Sequence, residues 1–442
     1  MLTALALVLA LPLSGAPAPP PGFLALEPAP KGAPPLLYCT PEGQGIVGGE
    51  FQRGGHPVVR ALAKAEPGST VFLEEGQYPP FTLGLGSNAW DNADISGGQP
   101  GAPIVLDGRG RATIVGREQD TIGIDQRQRV AHVTFRGLKI VTGRRSGVMF
   151  YKRTDAKNHV GFRFEDCEIN GGYQHPKASG RFSKWGVWAH SLVDFSFVGT
   201  LEPARVFGIR DEHAFYIQNP QGNVLIDNVE ARGLGRTFVQ LTCRRRDGPP
   251  GKGFFVVRRC DVANVGLAPD DLYQGGTAFS IGGRHTGQIL FERNKFRAGF
   301  DPRLKRLKPV GGVHGTGAFV AWQGGERVRN GTLVLKDNDF QMAYGCGDRA
   351  LVAISGCESV QLLGRNQFRS GGFQPALALE PRDDSGKPDG EPNLLVSISP
   401  RTVFEGEFTY RNEALDEAGR ARFLAREPDG DEADPRPPSD GD

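Results

Sequence analysis

The chain has 442 residues, with 52 Lys and Arg against 50 Asp and Glu, a formal charge of +2. Sixty-two glycines and an aromatic content of only 9% suit many short strands joined by tight turns, and no stretch has the pattern of a long amphipathic helix. That composition excludes helical bundles and coiled coils.

Residues 1–16 hold an apolar run, Leu2 to Leu13, followed by Ser14 and Ala16 at cleavage-site spacing. This is the pattern of a secretory signal peptide, without the usual preceding Lys or Arg. The run is too short to span a bilayer, and nothing later does, so the mature chain is expected to lack a membrane-spanning segment. A secreted, periplasmic or cell-surface location follows as an expectation. Residues 17–44 are Pro-rich and read as a linker. Residues 45–410 are the expected folded domain. Residues 411–442 carry ten acids against five arginines, which leaves +7 on the rest of the chain; this acidic tail has too few apolar residues to repay its ordering entropy and is expected to be disordered.

Within the domain, His56–Leu83 begins with a short helix pattern, with Val59, Leu62 and Ala63 on one face, ended by Pro67-Gly68. Such a helix can cap the open end of a repeat. A degenerate hexapeptide then recurs: FRGLKI (135–140), FEDCEI (164–169), IDNVEA (226–231), VRRCDV (257–262), FERNKF (291–296), LKDNDF (335–340) and, one residue longer, LLGRNQF (362–368). Its anchors, Leu138, Cys167, Val229, Cys260, Asn294, Asn338 and Asn366, are separated by 29, 62, 31, 34, 44 and 28 residues. The 62 is two coils of 31. A period of this size marks a solenoid, in which each unit buries its apolar face only against its neighbours.

The hexapeptide has its own logic. Phe291 and Phe296 point inward, Glu292 and Lys295 face water, and Asn294 sits in the turn, so Asn294, Asn338 and Asn366 should stack as a structural ladder. Cys167 and Cys260 share this column three coils apart, about 14 Å at ~4.8 Å per rung, too far for a disulfide. Pairings of Cys243 with Cys260 or Cys346 with Cys357 stay open. A second strand follows in each coil: GVMFY (147–151), GVWAH (186–190), HAFYI (213–217), RTFVQ (236–240), TAFSI (277–281), GAFVA (317–321) and RALVA (349–353). Either its second or its third column lines the core, and the third places Trp188 among phenylalanines.

The segment from His56 to Leu83, followed by Ala102–Gly116 (APIVLDGRGRATIVG), resembles the amino-terminal cap and first coils of proteins of the pectin-lyase-like superfamily. The resemblance spans roughly residues 45–410 and implies a single right-handed parallel β-helix, all-β and single-stranded, of about nine to eleven coils with an N-terminal capping helix. It matches no single enzyme family. Polygalacturonases of that superfamily carry an aspartate pair with a Gly-His-Gly strand, which Asp270-Asp271, Asp383-Asp384 and Val313-His314-Gly315 do not reproduce. Pectate lyases carry a Trp-Ile-Asp-His strand, of which Gly186–His190 retains only Trp and His.

Three inserts, 171–185, 264–276 and 299–316, leave the coils between the ladder turn and the second strand, and should wall a groove. The densest polar cluster lies beside it: Arg210, Asp211, Glu212, His213, Tyr216 and Gln218 on one rung, Lys184, Trp185, His190 and Asp194 before it, Arg236 and Gln240 after it. Elimination from a uronic acid needs a cation on the carboxylate, a base for the C5 proton and an acid for the leaving oxygen. Arg236 or Lys184 is assigned to the first, His213 to the second and Tyr216 to the third. Arg210, His190, Gln218, Gln240, Trp185 and Trp322 are candidates to bind the sugar chain, and Asp211 with Glu212 offers a weak calcium site. Arg303, Lys305, Arg306 and Lys308 in one insert, and Arg244 to Arg246 in another loop, favour a polyanion. The expectation is a monomeric, carbohydrate-active protein acting on an acidic polysaccharide by β-elimination, not a nucleic-acid binder. The alternatives are a non-catalytic glycan-binding or surface-structural β-helix and, third, a glycoside hydrolase. Asn330-Gly331-Thr332 is a glycosylation sequon.

Overall fold

The computed structural model describes residues 31–425 except 48, 50, 85–91, 153–157, 172–184, 210–211, 266–276, 299–316, 323–328, 343–349, 372–374 and 382–391. Every coil visits three sheets in turn. Ala131–Arg136 lies in the first, Lys139–Val141 in the second and Ser146–Phe150 in the third, after which Val160–Glu165 returns to pair in parallel with Ala131–Arg136. Repetition of this path gives sheets of 14, 11 and 13 strands, almost wholly parallel. The chain is a parallel β-helix. Its core is one continuous column of buried side chains from Leu37 to Phe408.

The hexapeptide forms the corner between the first and second sheets. In FEDCEI, Phe164, Cys167 and Ile169 are buried, while Glu165 and Glu168 face outward. The bend is made by one residue in the left-handed region just before the anchor: Gly137, Asp166, Asn228, Arg259, Arg293 and Asp337 all have φ between 51° and 55°. For a non-glycine residue this costs on the order of 1 kcal/mol. The corner offsets it by directing the anchor inward; before Asn366 the left-handed residue is Gly364, one position earlier.

Where the anchor is Asn, the expected ladder forms. The Asn338 Oδ1 accepts from the Asn294 N–H at 3.0 Å and the Asn294 Nδ2 at 3.1 Å, and the Asn366 Oδ1 accepts from the Asn338 N–H at 3.0 Å and Nδ2 at 3.2 Å. All three asparagines are fully buried. Cys167, Cys260 and Cys243 are buried free thiols, so the pairing of Cys243 with Cys260 is not made, and Cys357 is likewise free; Cys346 lies outside the described residues. Burial pushes the Cys167, Cys243, Cys260 and Cys357 thiols up to about 12. Asn330, the sequon asparagine, is fully buried, with its Oδ1 accepting from the His285 N–H at 3.1 Å. It serves the coil, and the folded chain offers it to no glycan.

In the third sheet neither of the two aligned columns is the inward one throughout. The inward column is Val148, Val187, Phe215, Val239, Phe279, Phe319 and Val352; the next, Met149, Trp188, Tyr216, Gln240, Ser280, Val320 and Ala353, faces outward. The aligned third column therefore holds for Phe215, Phe279 and Phe319 but slips by one for Met149, Trp188, Phe238 and Leu351. The cause is a pair of successive inward residues where the strand leaves the corner, such as Phe238 with Val239 or Ala278 with Phe279, all fully buried. Two adjacent apolar columns give two equally good alignments by eye.

The ends depart from the expected boundaries. Leu36–Thr40, inside the stretch read as linker, pairs in parallel with Thr70–Leu73 and antiparallel with Gly43–Ile46. The helix is short, Pro57–Leu62, and follows these strands; it buries Val58, Ala61 and Leu62, with Val59 half-buried and Ala63 exposed. His56 caps it, its Nδ1 accepting from the Val59 N–H at 3.3 Å. At the other end Glu413–Ala414 pairs antiparallel with the last strand of the third sheet, and Glu417–Ala425 is helical, both inside the stretch read as tail. The signal-like residues 1–16 and those from 426 onward lie outside the described residues.

Replacing Asn338 with Ala strands the buried Asn294 amide hydrogens and empties the step between Asn294 and Asn366. Chemical denaturation should show a loss of about 3 kcal/mol. A change below about 1 kcal/mol would mean the ladder is not a main support of these coils.

Candidate functional site

Two inward residues in succession at the start of each third-sheet strand have a consequence for its outer face. A side chain before the pair and one three residues later point out together, where simple alternation would separate them. Trp185 and Trp188 therefore stand side by side, ring centroids 4.1 Å apart, and His213 and Tyr216 stand together at 5.1 Å. Gly186 lies in the bend; a Cβ there would fall 2.5 Å from the Ala214 carbonyl oxygen.

Parallel pairing then stacks these pairs. Trp188 sits beside Tyr216 on the next rung, ring centroids 6.0 Å apart, and His190 lies 5.2 Å from Trp188. The Trp188 Nε1 donates to the Gln218 Oε1 at 2.7 Å, and the Gln218 Nε2 donates to the Tyr216 hydroxyl oxygen at 3.1 Å. Gln218 thus fixes the indole and the phenol relative to one another. Gln240 continues the Tyr216 column, its Nε2 donating to the Thr242 Oγ1 at 3.3 Å.

Beside this column, the Glu212 Oε2 accepts from the Arg236 Nη1 at 2.8 Å and lies 3.3 Å from the His213 Nε2. Burial, and secondarily the Arg236 charge, lowers the His213 pKa to about 3. The imidazole is neutral at ordinary pH. Its Nδ1 is buried and has no hydrogen-bond partner among the described residues. With a hydrogen on Nε2 directed at Glu212, Nδ1 carries an unshared lone pair beside the Tyr216 ring.

The structure brings together Trp185, His190, Glu212, His213, Tyr216, Gln218, Arg236 and Gln240 from the sequence-derived set. It also places Trp188 there, which the third-column alternative had put in the core. Lys184, Arg210 and Asp211 lie outside the described residues, as do Arg303, Lys305, Arg306, Lys308, Asp270, Asp271, Asp383, Asp384 and His314, and the side chain of Trp322 is likewise not described. Glu212, offered as a calcium ligand with Asp211, is engaged by Arg236. Among the described residues no three His, Cys, Asp or Glu side chains converge on one point. Arg244 to Arg246 follow the strand Thr237–Cys243, at the opposite edge from His213. The flanking strands place all three inserts between the second and third sheets, the first directly before Trp185 and the other two before Thr277 and Gly317, two and three rungs beyond His213.

Sequence reasoning missed a neighbouring cluster. Asp120, 2% exposed, accepts from the Arg145 Nε at 2.9 Å and the Tyr151 hydroxyl at 2.6 Å, and also from the Arg145 Nη2 and the Ser146 hydroxyl. Asp120 and Ser146 belong to the column that continues into Trp185. The available signal was Tyr151, which ends GVMFY where His190 ends GVWAH.

No family model matches the chain, and no curated protein matches it. Among solved structures the chain is similar to an alginate lyase from Paenibacillus sp. str. FPU-7, with 12% identity over 78% of this chain and 95% of that one and a TM-score of 0.38. It is also similar to a mannuronic acid specific polysaccharide family 6 lyase from human gut microbiota, with 11% identity over 84% of this chain and 74% of that one and a TM-score of 0.35. Among the described residues no helix is long and apolar enough to cross a membrane.

Arg236→Met removes the charge that helps depress His213 but leaves its burial. Histidine NMR titration should then place the His213 pKa above about 3 and still below 6.5. A value unchanged from the wild type would show that Arg236 does not bear on this imidazole.

Proposed function

We propose that the protein is a secreted lyase that cleaves an acidic polysaccharide by β-elimination. One observation carries the reading: a neutral imidazole with an unshared buried Nδ1 lies beside a tyrosine, ring centroids 5.1 Å apart, on a face whose next rung presents paired indoles. The sugar rings stack on Trp185 and Trp188, whose flat apolar surfaces suit the C–H faces of a pyranose. Arg236, half exposed and oriented by Glu212, turns its remaining N–H groups to the uronate carboxylate. His213 Nδ1, closed to solvent in the free chain, is uncovered as the polysaccharide binds and takes the C5 proton, the C4–C5 double bond forms as the C4–O bond breaks, and the Tyr216 hydroxyl protonates the departing oxygen. Proton exchange with water resets both residues. His190, Gln218 and Gln240 line the path of the chain.

The buried position of His213, 7% exposed, favours a second reading in which the face binds an acidic glycan without cleaving it. Incubation with a panel of acidic polysaccharides, with and without calcium, separates the two. A lyase generates the ultraviolet absorbance of an unsaturated uronide, and His213→Ala and Tyr216→Phe each lower the rate roughly 10²- to 10⁴-fold. With the His213 pKa near 3, protonation of this base removes activity only as pH falls toward that value, so no loss from this group is expected on descending through 6.5. Full turnover in both variants would refute the assignment, and binding with neither unsaturated product nor new reducing ends would establish the binder.

A further inference from the structure

The Asp120 cluster lies on the same outer face as His213, and the proposed reaction uses none of it. Its register is fixed: Asp120 pairs with Ser146, Ser146 with Trp185, and the following strand brings His213 into the same column. Arg145 precedes Ser146 and reaches back over the rung of Asp120. Its guanidinium therefore stands two to three rungs from His213, about 10 to 14 Å at the usual rung spacing. A sugar unit in an extended 1,4-linked chain advances by about one rung, so a polymer lying along the column reaches both points.

The guanidinium is held unusually well for a surface arginine. Its Nε and Nη2 form a fork on the buried Asp120 carboxylate, and the Tyr151 hydroxyl both donates to Asp120 and accepts from Nη2. The Tyr151 ring lies beneath it, 5.3 Å from the guanidinium carbon. Nη1 makes no hydrogen bond among the described residues, and the side chain is 32% exposed. An exposed arginine used only for solubility would not be anchored on three sides, with side-chain entropy already lost. Ser146 completes the acceptance at Asp120, which leaves the carboxylate saturated and Nη1 as the group presented outward.

We propose that Arg145, positioned by Asp120 and Tyr151, is a carboxylate-binding subsite for a uronate two to three units from the bond broken at His213. This deepens the reading of the face as an acidic-glycan site and rests on it. The subsite sets chain length and register. Oligomers long enough to reach Arg145 gain its hydrogen bond, and short ones do not.

Titration calorimetry of oligogalacturonate, oligomannuronate and oligoglucuronate as trimers and hexamers tests this on the full chain. The double variant Asp120→Asn/Arg145→Gln avoids leaving a buried unpaired charge; Arg145→Lys keeps a cation for Asp120 but loses the planar fork. Wild type should bind a hexamer more tightly than its trimer. The double variant should weaken the hexamer roughly 10- to 100-fold with the trimer unchanged, and Arg145→Lys should fall between. Hexamer binding by Arg145→Lys and by the double variant as tight as in wild type overturns the subsite while leaving the acidic-glycan reading standing. Equal loss of trimer and hexamer also overturns it, because the effect is then not confined to a distal position. No binding of any acidic oligomer by the wild type overturns both.

Discussion

Everything in this molecule depends on the parallel hydrogen-bonded pairing that stacks one coil on the next at about 4.8 Å. That spacing converts similarity between coils into columns of identical position. A residue type repeated once per coil becomes a continuous ladder or stack, as Asn294, Asn338 and Asn366 do inside and Trp188 and Tyr216 do outside. The corners must then be alike from coil to coil, and a left-handed residue directly before six of the seven anchors, with Gly364 two residues before Asn366, keeps them so even where that residue is Arg or Asp. The backbone strain is local, and the register it secures is global.

The outer surfaces use the same columns for charge. On the first sheet, Asp227, Arg258, Glu292 and Lys336 follow one another on successive rungs, with the Arg258 Nη2 2.8 Å from Asp227 and the Lys336 Nζ 2.9 Å from Glu292. Like charges directly opposite would oppose pairing, so alternation supports the stack. These pairs are partly exposed and contribute little each. Along this column charge is neutralised within the scaffold, whereas on the third sheet Arg145 and Arg236 each anchor on one acid and stay partly exposed.

The inner ladder and the repeat were legible because they follow from spacing alone: seven anchors at multiples of about one coil can only be a solenoid. The polar cluster around His213 was legible for the same reason, since adjacent rungs bring neighbours in register together. The third sheet was not, because Phe238 and Val239, or Leu351 and Val352, are both apolar and both inward, so period-2 reasoning had no polar residue to fix the phase. That slip hid Trp188 in the core. Asp120 and Arg145 were hidden differently: one is 25 residues before the other, and only the coil path makes them partners. The boundary at residue 45 failed because Leu36–Thr40 carries no repeat signature, although LLYCT has the composition of a strand.

The outer column of the third sheet also changes character along the rod. From Met149 through Trp188, Tyr216 and Gln240 its members are long, and from Ser280 through Val320, Ala353 and Ala378 they are short or compact. Ala353 and Ala378 are nearly buried although they point outward, and with Ala350 and Val320 they form a second small apolar cluster. Small apolar residues on an outer face suit close covering by the chain's own segments, whereas long aromatic and amide side chains reach away from the backbone and leave space between rungs for a ligand. The change in side-chain size falls between Gln240 and Ser280, one rung beyond Arg236. On the proposed reading, a linear polymer lying along this face meets His213 near one limit of the open stretch and has its remaining length toward Arg145. That asymmetry is what makes a subsite on the Asp120 side physically reasonable and one on the Ser280 side not.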